Sequence, residues 1–347
     1  MIKKIIAAGI ALIFVLSVIG LAFAGDEKSA AQAPQLAAML PESDGIMTVD
    51  VQRVFNQMLP QILSANQPKL DKMMAKVEEV KNKTGIDLRR FEQVAVGVKT
   101  RPGAGGNMDF EPVILARGTY DSNHLVEFAK LAAKGDYRTE KLGDRTIYIF
   151  SPKNMIDENK PKSDNSFFGK IINKIFINLD KEFALTSYDR NTLAFGSVAR
   201  VREVIEAKTR VNDQLLNLVY RDQNAVMSFG ANMPSDLSGV LDLGNEEIDK
   251  NIDVIKQLYG TLDVNGNSTT LSVTARALKN NQAEDLKIFL SGMAEVGKTL
   301  LGSSKGEDKK VYVRMIKNAR ISRTGNEVMF DLQVPQSDID VLLGEKK

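Results

Sequence analysis

The chain has 347 residues, 43% of them hydrophobic, with 46 Lys+Arg against 44 Asp+Glu, a single His, and no Cys or Trp. That is a globular composition, long enough for one large or two ordinary domains. Lacking cysteine, it can form no disulfide, no lipid-modified N-terminal Cys and no thiolate metal site.

Lys3 and Lys4 precede an uncharged run from Ile5 to Ile19, and Ala22-Phe23-Ala24 is a small-x-small motif before polar Gly25-Asp26-Glu27-Lys28. This is the layout of an export signal, residues 1–24, cleaved after Ala24, and it predicts a periplasmic or secreted protein. The competing reading keeps the segment as an anchor, in which case it is the chain's one membrane contact. Cleavage removes two Lys and leaves 44 basic against 44 acidic residues, without the basic excess that nucleic-acid binding requires.

Residues 25–41 read as a flexible leader, and Gly45 to Val51 alternates as a strand. Gln52 to Leu63 has helical apolar spacing interrupted at Pro60, and a second helix runs from Pro68 to about Lys83. Val94 to Thr100 and Pro112 to Gly118 are strands flanking glycine-rich Arg101 to Asn107. Ser122 to Ala133 is an amphipathic helix capped by Asp121 or Ser122, with Leu125, Phe128, Ala129 and Leu131 on its apolar face. Arg138 to Phe150 is a hairpin, followed by a polar insertion from Ser151 to Ser166. Three short strands come next, near Lys174 to Leu179, Phe183 to Ser187 and Thr192 to Gly196, then a helix capped by Ser197.

The second half repeats this grammar: a strand at Ala225 to Ala231, a loop to Asn245, a helix from Glu246 to Leu258, and a hairpin around Asn265-Gly266. A long helix from Asn280 to Leu301, a polar loop to Lys310, a hairpin across Thr324-Gly325-Asn326 and a helix from Gln336 complete it. Residues 115–123 and 274–282 hold the same place between hairpin and helix, and 141–146 aligns with 323–328. The fold class expected is therefore α+β: two related modules, 42–209 and 210–347, each an antiparallel sheet with helices packed on one face.

Four segments, Met39-Leu40-Pro41-Glu42-Ser43-Asp44, Thr84-Gly85-Ile86-Asp87-Leu88, Thr192-Leu193-Ala194-Phe195-Gly196-Ser197 and Leu332-Gln333-Val334-Pro335-Gln336-Ser337-Asp338-Ile339, sit in an element order that resembles exported bacterial proteins grouped only as a domain of unknown function. The resemblance implies export and brings no activity with it.

Gly292-Met293-Ala294-Glu295-Val296-Gly297-Lys298-Thr299 satisfies the phosphate-loop pattern. Its interior residues are helix formers, however, and Leu286, Phe289, Leu290, Met293, Val296 and Leu300 recur at helical spacing, so a core helix is expected. Asp263-Val264-Asn265-Gly266-Asn267 has calcium-loop spacing at first, but Ser268 and Thr274 stand where Gly and Glu are needed. A lone His124 leaves no second His for a metal site, and no acid pair among Glu78-Glu79, Glu246-Glu247 and Asp338/Asp340 is singled out for hydrolysis.

No enzyme, metal or organic cofactor is expected. The reading is a binding or interaction module whose partner is an unknown protein. Its main competitor is a carrier of a lipid or other hydrophobic ligand, lidded by Met233, Leu237, Val240, Leu241 and Leu243, and a carboxylate-dependent hydrolase is third.

Overall fold

The computed structural model describes residues 35–84, 86–102, 108–151, 182–235, 238, 246–302 and 306–343. The predicted export signal, the strand at 174–179 and most of the polar insertion lie outside these residues. The chain separates into two compact units: the part up to Phe55 with Ala75–Asn217, and Asn56–Met74 with Leu218 onward. Compared with a single cut near residue 210, the segment Asn56–Met74 moves to the second unit.

The first unit contains β1 (Gly45–Asp50), β2 (Phe91–Pro102), β3 (Met108–Gly118), β4 (Tyr137–Leu142), β5 (Arg145–Phe150), β6 (Phe183–Asp189) and β7 (Thr192–Gly196). They form an antiparallel sheet in the order β1-β2-β3-β7-β6-β5-β4. In chain order, helix α1 is Gln67–Thr84, α2 Ser122–Ala132, α3 Val198–Glu206 and α4 Asp213–Val219; the part of α1 up to Met74 and the end of α4 from Leu218 belong to the second unit. Val51–Arg53, a π-helical turn at Val54–Met58 and Leu59–Ile62 make up the irregular helix before α1, its last turn accommodating Pro60 near its start.

The α+β class holds, and helices cover both faces of the first sheet. Helix α2 sets Val126 against Phe150 and Leu185, with Tyr148, Phe195 and Leu193 around them. Helix α3 lies on the other face, where Arg202 bonds Glu140 at 2.8 and 2.6 Å and Glu140 sits opposite Ile147. Both layers exclude water: Phe150, Ile147, Ile149, Ala184 and Ala194 are buried. The predicted capping residue does begin α3, but Ser197 makes no side-chain capping bond. Leu131 is 75% exposed and leaves the apolar face of α2, which keeps Leu125 and gains Val126.

Part of the stretch read as a leader belongs to the core. Leu36–Met39 forms a 3₁₀ turn on β1, β2 and β3, burying Leu36, Ala37 and Leu40. Its composition is that of a linker, but three apolar side chains reach a sheet face that would otherwise be wet.

Asp44 ties the start of β1 to β2, accepting from Thr100 N and Oγ1, both at 2.7 Å, with Lys99 Nζ 3.4 Å away. Burial pushes its pKa up, but the Thr100 hydrogen bonds and the Lys99 charge outweigh that and hold it below the ordinary 3.8. A depressed folded pKa stabilises above the unfolded value, and the gain disappears as pH falls through the folded one. Asp44→Asn is therefore expected to cost about 1.5 kcal/mol at neutral pH. In urea titrations the gap to the parent should close as pH falls below the ordinary carboxylate range; a gap independent of pH would refute this role for the charge.

The second unit contains β8 (Met227–Asn232), α5 (Glu246–Ile252), β9 (Ile255–Val264), β10 (Ser268–Ala277), α6 (Asn280–Gly302), α7 (Glu307–Asn318), β11 (Arg320–Thr324), β12 (Glu327–Pro335) and α8 (Gln336–Leu343). Its sheet order is β8-β9-β10-β12-β11, again antiparallel. Two expectations change. The helix beginning at Glu246 stops at Ile252, because Ile255 to Leu258 pair with β10 as strand. The loop drawn to Lys310 gives way to helix α7, which buries Val311 and Met315 one turn apart.

The two units repeat one five-strand pattern in matching register. Asp50, Gln93, Arg117 and Thr192 form a cross-strand row in the first; Asn232, Gln257, Arg276 and Glu327 form it in the second. In each unit the register slips by one residue beside this row, so that Gly118 faces Phe91 and Ala277 faces Ile255. An asparagine in the neighbouring turn then clamps the strand end. Asn191 Nδ2 donates to Gly118 O at 3.1 Å and accepts at its carbonyl from Gly118 N; Asn326 does the same to Ala277, with Nδ2 at 2.7 Å.

The alignment of 115–123 with 274–282 matches this geometry, whereas 141–146 has no counterpart at 323–328. The counterpart of β11–β12 is β6–β7, and β4–β5 is an addition. A hairpin turn specifies its own two strands, while the neighbour β3 accepts is settled by packing.

Candidate interaction surface

Helix α6 starts from sequence chemistry: Lys279 N donates to the Gln282 side chain at 3.0 Å, and Ala283, Leu286, Phe289 and Leu290 recur at helical spacing. These pack on Ala275, Ala277 and Val328 of the sheet. Along its far side, at intervals of four, stand Ile288, Gly292, Val296 and Leu300. Ile288 is 60% and Val296 55% exposed, and Leu300 also counts among the exposed large hydrophobics. Val296 and Leu300 were expected in the core; the helix turns them away because its inner line passes through Leu286, Leu290 and buried Gly297. A β-carbon on Gly297 would lie 3.2 Å from Ile316 Cδ1, so this glycine serves close packing on α7. One on Gly292 would have nothing within 4 Å.

This helix also contains the phosphate-loop pattern. Gly292 to Thr299 are continuous helix, so their amides are bonded along the backbone and form no anion cradle. Lys298 Nζ lies 2.6 Å from Glu295, and Thr299 Oγ1 donates to the Glu295 carbonyl at 3.0 Å. The calcium-like segment is the β9–β10 turn, in which Asn265 Oδ1 accepts from Asn267 N, Ser268 N and Ser268 Oγ, and Gly266 has φ +83°.

Several other titratable side chains are engaged in structure. His124 is exposed in the first turn of α2. Glu78 pairs with Arg89 at 2.8 Å, and buried Asp338 accepts from Arg314 at 2.9 and 2.6 Å. On the sheet, Arg276 donates to Glu327 at 2.9 and 2.6 Å, Tyr259 OH donates to the same oxygen at 2.9 Å, and Arg221 bonds that hydroxyl at 3.0 Å. Burial raises the Glu327 pKa, but these bonds and the Arg276 charge pull it below the ordinary carboxylate range. This cluster escaped sequence reasoning; the one available signal was that Arg117 and Arg276 align in the repeated segments.

Of the proposed hydrophobic lid, Met233 is half-buried, its amide donating to Lys256 O at 2.9 Å. Leu237, Val240, Leu241 and Leu243 lie outside the described residues. A cleft of about 370 Å³ is lined by Gln57, Gln61, Ser64, Val264, Asn265, Gly266 and Gln336, four of which carry side-chain amides, and it contains none of the lid positions. Its polar groups hold one another: Gly266 N donates to Gln61 Oε1 at 2.7 Å, Gln61 Nε2 to Ser268 O at 3.1 Å, and Gln336 Nε2 to Gln61 O at 2.7 Å. The cleft is thus a joint between the helical segment and the β9–β10 turn.

No protein-family model and no curated protein matches the chain. Among solved structures it is similar to TP0453 in crystal form III, at 10% identity and TM-score 0.44 over 90% of this chain and 99% of that one. The values for crystal form I are 9% and 0.41 over 91% and 99%, and for form IV 10% and 0.41 over 90% and 98%.

Proposed function

We propose that the chain is an exported, non-enzymatic envelope or secreted protein that binds another protein through the outer face of α6. The observation behind this is the exposure of Ile288 and Val296 on a helix whose other side is core. Large apolar side chains grouped on one exposed face are a recognised mark of interaction sites. The export layout of residues 1–24 and the balanced charge of the remainder support the compartment and argue against a nucleic-acid partner.

A photo-reactive amino acid at Ile288, in the protein expressed in its own cells, tests the reading. Irradiation is expected to yield an adduct of defined mass, on a protein recovered from the envelope or medium and beginning at Gly25. The same probe at exposed Asp144 should give none. Equal labelling from both positions, or none from Ile288, would sink the proposal.

A further inference from the structure

We infer that the occupant of this face is a second copy of the chain, its α6 antiparallel to the first and crossing it at Gly292. The inference rests on the reading of α6 as a binding face and names its partner.

The stretch of the face from Ile288 to Val296 is self-complementary, and Leu300 lies beyond the crossing. Ile288 and Val296 each stand four residues from Gly292, so a two-fold axis through Gly292 sets Ile288 of one copy against Val296 of the other, and the reverse. Gly292 is unexplained within the chain. Glycine disfavours a helix interior relative to alanine, yet this one is exposed and its missing β-carbon makes room for no neighbour. At a helix crossing, that missing β-carbon allows two backbones to approach closely.

The flanking charges suit the same arrangement. Glu295, 70% exposed, and Lys287, 38% exposed, lie toward the same flank on opposite sides of Gly292. An antiparallel partner therefore brings Glu295 beside Lys287 of the other copy, twice. A parallel two-fold pair would put these flanks on opposite sides and keep the charges apart. Without residues 1–24 the chain carries equal numbers of basic and acidic residues, so no large net charge separates two copies. Few side chains take part, and the dimer is correspondingly weak.

The lack of native cysteine makes disulfide trapping clean. Gly292→Cys places its thiol at the axis, with open space around it in the single copy. Two copies of residue 288 would be separated by about 12 Å along the helices, too far for a disulfide. Under mild oxidation Gly292→Cys is expected to give roughly fivefold or more disulfide dimer than Ile288→Cys or Val296→Cys alone. A mixture of the latter two should form mainly the mixed dimer, and all three should melt within a few degrees of the parent.

Ile288→Cys self-linking as readily as Gly292→Cys would overturn the geometry. Monomeric cysteine variants, alongside an Ile288 photo-adduct to a different protein, would overturn self-association and leave the binding face standing. No product in either experiment would remove both.

Discussion

Gly118→Ala is expected to destabilise the first unit by about 3 kcal/mol, at the upper end of what one inserted methyl group costs in a packed site. A β-carbon there would lie 2.0 Å from Arg90 O and 2.7 Å from Phe91 Cα. Both are backbone atoms, and the backbone is held: Thr119 N donates to Arg90 O at 2.8 Å, and Asn191 grips Gly118 through both its amide and its carbonyl. Relief would require opening the register slip that places Gly118 opposite Phe91.

The equivalent position in the second unit is Ala277, which carries its β-carbon at 2% exposure. Ala277→Gly should therefore cost only about 1 kcal/mol, the ordinary penalty of glycine in regular structure. Urea denaturation of both variants provides the check, and the Gly118 change should lower the melting temperature by roughly 6–12 °C. An unchanged midpoint for Gly118→Ala would mean that the β2–β3 backbone yields freely and that the matched register is not a rigid feature.

The second large effect concerns a charge inside the first unit. Arg200 is 1% exposed, with its guanidinium paired to the Glu203 carboxylate and its Nη2 donating to Ser43 Oγ at 2.7 Å. Ser43 fits there because residue 97 is glycine: a β-carbon would fall 2.6 Å from that oxygen. Burial pulls the Arg200 pKa down and the Glu203 charge only partly restores it, yet an arginine stays protonated under ordinary conditions. Glu203→Gln therefore leaves a buried cation uncompensated and is expected to cost about 3 kcal/mol. Arg101, which also reaches Glu203 at 3.1 Å, keeps Glu111 at 2.5 Å and should add little to that loss.

The pair Arg200→Met with Glu203→Gln removes the cation as well, and should return to the parent's stability or exceed it. This contrast is the decisive measurement. If the single variant unfolds at the parent's urea midpoint, the Arg200 charge is neutralised by something other than Glu203.

Much of the architecture could be read from local chemistry. Asn265-Gly266 announced the β9–β10 hairpin, Asp121 the start of α2, and the apolar spacing from Leu286 onward the long helix α6. Helix α7 was missed because Val311-Tyr312-Val313 is a β-branched and aromatic run of strand character, and its burial of Val311 and Met315 is visible only in the fold. The candidate surface was hidden for a related reason. Val296 and Leu300 obey the same spacing as core positions, and spacing says nothing about which side of an apolar helix meets the sheet.

By itself the sequence determined the α+β class, the antiparallel hairpins and the exclusion of cysteine chemistry, since periodicity, turn residues and composition are local properties of the chain. Tertiary structure decided which strand lies beside β3 and β10, the burial of Leu36 and Leu40 in an apparent leader, and the side of α6 that leaves Val296 and Leu300 exposed. Each of these depends on apolar surface supplied by residues distant in sequence, and no local pattern encodes where that surface will be.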